Sequence, residues 1–308
     1  MALGLEALGL DEDGSAYVVP DVLELSALDD RAHDGSLAGR PPGPDAWHDA
    51  PVRDLTYPPI ILTAKTLFRV LGLSFQMEGT HHVPRTGGAL LAFNHVGYID
   101  FVLGGLAAQD SGRLVRFMAK KEVFDHPVGG PVMRSMHHIA VDRADGAGSL
   151  TEALRYLESS QVVGIFPEAT ISRSFEVKEL KSGATRIAAE AGVPLLPVAL
   201  WGTQRLMTKD HPRDFSRGKT IGIRVGEPMH PTGEDPVAET LELHDRLSRL
   251  VNEAVDAYPA AEQPRGSWWL PASRGGTAPT PDEAARLDAE EKAARAARKS
   301  AREAAPEA

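Results

Sequence analysis

Short apolar runs alternate with stretches of helical spacing from Gly87 to Tyr258, and few architectures accommodate such an alternation. "GGALLAFNH" reads as a buried strand running into a turn, followed by the helix "IDFVLGGLAAQ". "LVRFMAK" and "HHIAVDR" are strand candidates. In "GSLTEALRYLESS" Leu150, Ala153, Leu154 and Leu157 share one helical face, with Ser149 as the expected cap. "QVVGIFPEA" is a second buried strand, "SGATRIAAEAG" a helix stopped by Gly192, and "VPLLPVALWG" and "TIGIRVGEP" are further strands. The long amphipathic helix "PVAETLELHDRLSRLVNEAVDAY" closes the series. Strand–helix alternation of this kind predicts an α/β domain over residues 55–270, in which a mixed, largely parallel central sheet is flanked by helices.

The flanks differ in composition. Residues 1–54 carry 12 Asp/Glu against 3 Lys/Arg and contain "GRPPGPD", so an acidic, mostly disordered leader is expected there. Residues 271–308 are rich in helix formers and poor in large apolar side chains, which predicts a charged helical or disordered tail without chemistry. The net charge of −10 belongs mainly to the leader, and the nearly neutral body shows no basic stripe for nucleic acid. No cysteine is present, so a disulfide framework or thiolate metal site is excluded. The apolar segment "PPIILTAKTLFRVLGL" (58–73) is too short and too charged, at Lys65 and Arg69, to span a bilayer. Its helical face of Ile60, Ala64, Leu67, Phe68 and Leu71 suits docking on the core or lying in a lipid interface.

Several strands end in turns holding ionisable residues: Asn94-His95, Asp142-Arg143 and Glu168. Open α/β sheets gather ligands at the carboxyl ends of their strands. His95 and Asp100 are five residues apart, a spacing that would separate them by roughly 140° on a straight helix. A bend at Gly97 would bring the carboxylate back onto the imidazole. Asp100 would then fix the ring tautomer, leaving the other nitrogen to take a proton from an alcohol. A lone turn histidine with one structural hydrogen bond is the plainer alternative. No G-x-S-x-G nucleophile elbow occurs, so a base here implies direct attack by a substrate hydroxyl. Arg143 is either a structural ion-pair partner or a phosphate ligand. In "FPEATISRSFEVKELKSGA" Glu168, Thr170, Ser172, Arg173, Lys178 and Lys181 bring hydroxyls and cations to a helix start, which suits a phosphate as well as an ordinary solvated loop. The histidine pairs His81-His82 and His137-His138 lack carboxylates at metal-ligand spacing, and no metal site is expected.

The order of these blocks resembles the glycerolipid acyltransferase family, the 1-acylglycerol-3-phosphate acyltransferases, often called PlsC-like. Its N-H-x-x-x-x-D block is matched by Asn94, His95 and Asp100. The strand ending in arginine is matched by "IAVDR" with Arg143, the F-P-E-G-T-R-S block by "FPEATIS", and the strand around a proline by "VPLLPVAL" with Pro197. The resemblance covers residues 56–228. It implies a glycerol-3-phosphate acyltransferase-like fold and an enzyme acting peripherally on the cytoplasmic membrane face. The fatty acyl group would pass from acyl-CoA or acyl carrier protein, without a bound cofactor, to a lysophospholipid hydroxyl, 1-acylglycerol-3-phosphate first among acceptors. Another lipid acceptor, or a non-catalytic lipid-binding role on the same fold, are the alternatives. By the same resemblance His95 and Asp100 are catalytic, and Arg143, Glu168 and Thr170 hold the acceptor and its phosphate; Asn94, Arg173 and Lys181 are further expected substrate contacts. Ala169 stands in place of the family's glycine and Ile171 in place of its arginine, with Arg173 two residues on as a substitute contact.

Overall fold

The computed structural model describes residues 57–142 and 146–304. The acidic leader, Arg143 and the last four residues lie outside the described residues. Among the described residues seven strands form one sheet in the order β1-β7-β6-β2-β5-β3-β4. They are β1 Ser74–Glu78, β2 Ala89–Phe93, β3 Val115–Lys120, β4 Ile139–Val141, β5 Val162–Ile165, β6 Leu195–Trp201 and β7 Thr220–Val225. All neighbours pair in parallel except β6 and β7, which are antiparallel. The sheet is thus mixed and largely parallel, as the alternation predicts. Among the described residues the α-helices are α1 Tyr57–Val70, α2 Asp100–Gly104, α3 Lys121–Asp125, α4 Gly129–Ser135, α5 Gly146–Glu158, α6 Gly183–Ala191, α7 Pro236–Ala257 and α8 Pro281–Ala304.

Strand β2 shows why its sequence reads as an uninterrupted apolar run. Leu90 and Ala92 face a core closed by Leu157 of α5, Ile187 of α6 and Leu247 of α7. Ala89, Leu91 and Phe93 face the opposite core, closed by Phe68 of α1 and Leu103 of α2. A strand covered on both faces has no polar side to display. A third cluster joins Trp201 to Trp269 and Tyr258 at the end of α7.

Local details depart from expectation in three places. Strand β1 has no apolar run; it lies at the sheet edge, paired only with β7, and its residues alternate between exposed and half-buried. Ser149 does not cap α5. It sits within the helix, where its hydroxyl accepts from the Asp142 amide at 3.0 Å. On α1, Tyr57 and Phe68 are buried, while Leu62, Leu67 and Val70 are 64%, 47% and 57% exposed. Leu67 therefore belongs to the outer surface and not to the docked face.

β2 and β5 pair with Ala92 opposite Ile165, so the turns that follow leave the sheet at the same end. That register places the turn bearing His95 beside the turn bearing Glu168.

Candidate active site

Asn94, the first residue past β2, carries the pairing with β6 one step further through its side chain. Its Nδ2 donates to the Leu200 carbonyl at 3.0 Å, and its Oδ1 accepts from the Leu200 amide at 2.7 Å. The chain then bends so that Asp100, the first residue of α2, turns back on it. One carboxylate oxygen, Oδ2, accepts from three donors: His95 Nδ1 at 2.9 Å, the Val96 amide at 2.7 Å and the Gly97 amide at 2.8 Å. The five-residue spacing closes in this way, through a turn and not a helix.

Gly97 has a different reason to be glycine from the expected one, since it is absent from the positive-φ residues. A Cβ there would lie 3.0 Å from the Met207 carbonyl oxygen and 3.1 Å from Asp100 Oδ1. Close approach, not φ, is what crowds a side chain here.

Geometry also fixes the imidazole tautomer. Two backbone amides already donate to Asp100 Oδ2, so the ring nitrogen facing the same oxygen acts as a third donor. Nδ1 carries the hydrogen, and Nε2 keeps its lone pair. His95 is 2% exposed and packs on Phe166 with ring centroids 4.4 Å apart. Among the described residues Nε2 is buried and has no hydrogen-bond partner. A buried acceptor without a donor is costly unless something else meets it.

The third motif holds the histidine from behind. Glu168 Oε1 accepts from the His95 amide at 2.8 Å and Oε2 from the Lys178 amide at 3.1 Å. The Ser172 amide donates to the His95 carbonyl at 2.8 Å. Burial pushes the Glu168 carboxyl up to about 8, against the pull of those two amides and the Lys178 ammonium. A carboxyl oxygen accepts in either protonation state, whereas an amide nitrogen never does. Glu168→Gln would leave one amide facing a donor, and we expect it to lower the unfolding free energy by about 1–3 kcal/mol in denaturant titrations. The carboxyl's titration adds a pH signature. Its folded pKa of about 8 lies above the unfolded value, roughly 4.3 for a free glutamate. The associated stability is fully present below the unfolded value and lost as pH rises through the folded one. Wild-type stability should therefore fall relative to Glu168→Gln over that window.

Ala169 adopts φ 64° and is fully buried. This left-handed backbone explains the family's glycine at the position, and alanine accepts it at a conformational cost of roughly 1–2 kcal/mol. Ile171, where the family has arginine, is fully buried and offers no charge. Arg173 is present nearby, and its guanidinium meets Asp210 at 2.5 Å, Glu291 at 2.8 Å and Asp288. Thr170 Oγ1 accepts from Lys178 Nζ at 2.6 Å. Lys181 is exposed, and its amide donates to the Pro167 carbonyl. The structure thus brings His95, Asp100 and Glu168 together, with the side chains of Asn94 and Glu168 directed at Leu200, His95 and Lys178, while Thr170 and Arg173 meet Lys178 and Asp288 in an adjoining cluster. Lys209, Asp210, Asp288 and Glu291 join them without having been singled out in the sequence. Nothing in the spacing of "TKD" marks Lys209; it is placed because Thr208 Oγ1 donates to the Val96 carbonyl at 2.7 Å.

A model of the Acyltransferase family matches residues 74–201. The 1-acyl-sn-glycerol-3-phosphate acyltransferase of Bacillus subtilis is 31% identical over 180 residues, 56% of this chain and 85% of that protein. Mouse 1-acyl-sn-glycerol-3-phosphate acyltransferase alpha is 28% identical over 181 residues, 58% of this chain and 61% of the mouse protein. Among solved structures, the 1-acyl-sn-glycerophosphate (LPA) acyltransferase PlsC of Thermotoga maritima superposes with a TM-score of 0.56 at 25% identity, covering 66% of this chain and 80% of that one.

Proposed function

Because the chain belongs to the 1-acylglycerol-3-phosphate acyltransferase (PlsC-like) family, we propose that it acylates the free hydroxyl of 1-acylglycerol-3-phosphate from an acyl thioester. The observation that carries this reading is the bare, buried Nε2 of a histidine whose Nδ1–H is held by Asp100. Nε2 takes the proton of the acceptor hydroxyl as its oxygen attacks the thioester carbonyl. The new C–O bond forms, the C–S bond breaks, and the imidazolium returns its proton to the departing sulfur. Asp100 steadies the imidazolium during the transfer. Asn94 and Glu168 act on the position of His95, while Thr170, Arg173 and Lys178, gathered in one cluster with Asp288, supply the donors for the acceptor's phosphate. Acyl-CoA and acyl carrier protein both present the same thioester. The test is turnover of each donor with 1-acylglycerol-3-phosphate and with the phosphate-free monoacylglycerol. Donor hydrolysis at the same rate with and without acceptor would overturn the reading.

The same proposal places the enzyme on a membrane surface, on the side where the cytoplasmic thioester donors are found. No described helix is long and apolar enough to cross a bilayer. Support comes from α1, where Leu62, Leu67 and Val70 are exposed beside exposed Lys65 and Arg69. Apolar side chains among cations fit a lipid interface with anionic headgroups. Leu62→Asn/Leu67→Asn should weaken cosedimentation with anionic vesicles by roughly tenfold or more, about 1.4 kcal/mol per tenfold. Thermal stability should hardly change, since neither side chain is buried.

A further inference from the structure

Helix α8 packs against the loops that carry Arg173, Lys178 and Lys209. Helix α8 begins with a capping box in which Glu283 accepts from the Thr280 amide and hydroxyl, both at 2.9 Å. Among its described side chains only Ala284 is buried, and Leu287, Asp288 and Glu291 are half-buried. These four recur at the spacing of one helical face, and that face meets a cluster of cations. Asp288 contacts the Arg173 guanidinium, Lys178 Nζ at 2.6 Å and Lys209 Nζ at 3.5 Å. Glu291 contacts Arg173 at 2.8 Å and Lys209 at 3.1 Å, and is held also by Arg295.

The cations are built into the fold on residues that adjoin, or themselves make, the hydrogen bonds holding the dyad's turn. Arg173 follows Ser172, whose amide holds the His95 carbonyl, and Lys209 follows Thr208, whose hydroxyl holds the Val96 carbonyl. The Lys178 amide holds Glu168. With α8 in place, the side chains of Arg173 and Lys209 are only 8% and 4% exposed, and cations buried to that degree are found paired with anions. Burial and the neighbouring Arg173 both lower the Lys209 amine, the cost of gathering like charges. From the body of the protein, Asp210 supplies one carboxylate to this cluster. Asp288 and Glu291 supply two more, the charge that a phosphomonoester carries near neutrality, about −1.5 to −2.

We propose that Arg173, Lys178 and Lys209 form the seat for the acceptor's phosphate, and that α8 occupies this seat with Asp288 and Glu291. Helix docking and acceptor binding then exclude each other, and α8 is an autoinhibitory plug. The proposal rests on the reading that the acceptor carries a phosphate. An ionic hold with a single buried alanine suits a plug, because a competing dianion can displace carboxylates where it could not displace an apolar interface. As a consequence, the apparent KM for the acceptor includes the equilibrium for freeing the helix.

Amide hydrogen exchange on the full chain, run beside calorimetric titration with glycerol 3-phosphate, tests this without any turnover. Exchange across 281–298 should rise as glycerol 3-phosphate saturates and stay unchanged with glycerol. In kinetics, Asp288→Asn/Glu291→Gln should lower the KM for 1-acylglycerol-3-phosphate about tenfold and leave the KM for the acyl donor unchanged. Should the double variant fold poorly, Asp288→Asn alone should move the KM in the same direction, and Lys209→Met should move it the opposite way. Glycerol 3-phosphate that binds without loosening α8 overturns the plug. So does its failure to bind both the wild type and the double variant up to millimolar concentration. If the wild type turns over no phosphate-bearing acceptor, yet glycerol 3-phosphate binds and frees the helix, the assigned reaction falls and the plug stands.

Discussion

His95→Ala should lower kcat for acyl transfer by about 10²–10⁴-fold, the typical contribution of a positioned general base. The fold gives this variant a fair trial. Asp100 keeps two of its three donors, the Val96 and Gly97 amides, so the turn retains its anchor after the ring is gone. The Glu168 and Ser172 contacts are made to the backbone of residue 95 and survive as well. The lost ring packing on Phe166 should cost stability without dismantling the sheet. Acceptor KM should change little, because Arg173, Lys178 and Lys209 are untouched. A folded His95→Ala with wild-type kcat would remove the base from the mechanism.

What could be read from the sequence follows burial. β2, β5 and β6 are covered on both faces, and their apolar runs announce them without help from tertiary context. β1 meets solvent and pairs on one side only, so "SFQME" carries no such signal. The His95–Asp100 pairing could be anticipated because only a bend reconciles a five-residue spacing with contact. The reason for Gly97 could not, since it lies in the Met207 carbonyl, distant in sequence. Likewise Ala169 announces an unusual backbone only by comparison with a glycine-bearing family block, and its φ of 64° bears that out.

The greatest loss of information is in the tail. Averaged over its length, α8 looks like a solvated polar helix, and most of it is exposed. Its significance lies in Asp288 and Glu291, one turn apart, meeting cations that come from two separate loops. Charge composition sums to nothing there and conceals the pattern. Lys209 is hidden for a related reason: its neighbours in space, Arg173 and Glu291, are supplied by chain far from it in sequence.

Asp100→Asn should separate the electrostatic role of this carboxylate from its structural one, lowering kcat by about 10²–10³-fold with little loss of stability. The side chain can be placed in only one way. Val96 and Gly97 present N–H groups, so the new amide must turn its oxygen toward them and its nitrogen toward the site of Oδ1. That oxygen still accepts from His95 Nδ1, and the tautomer with a bare Nε2 is retained. What vanishes is the negative charge beside the imidazolium formed during proton transfer. At about 4 Å and an effective dielectric near 20, such a pair is worth about 4 kcal/mol, and each 1.36 kcal/mol of barrier is tenfold in rate. Folding should be nearly indifferent, because the variant removes a fully buried charge whose Oδ1 has no partner among the described residues. Asp100→Ala provides the contrast, since it orphans two buried amides at about 1–3 kcal/mol each and should lose both rate and melting temperature. If Asp100→Asn kept full activity, the aspartate would be a turn brace only, and His95 would work without it.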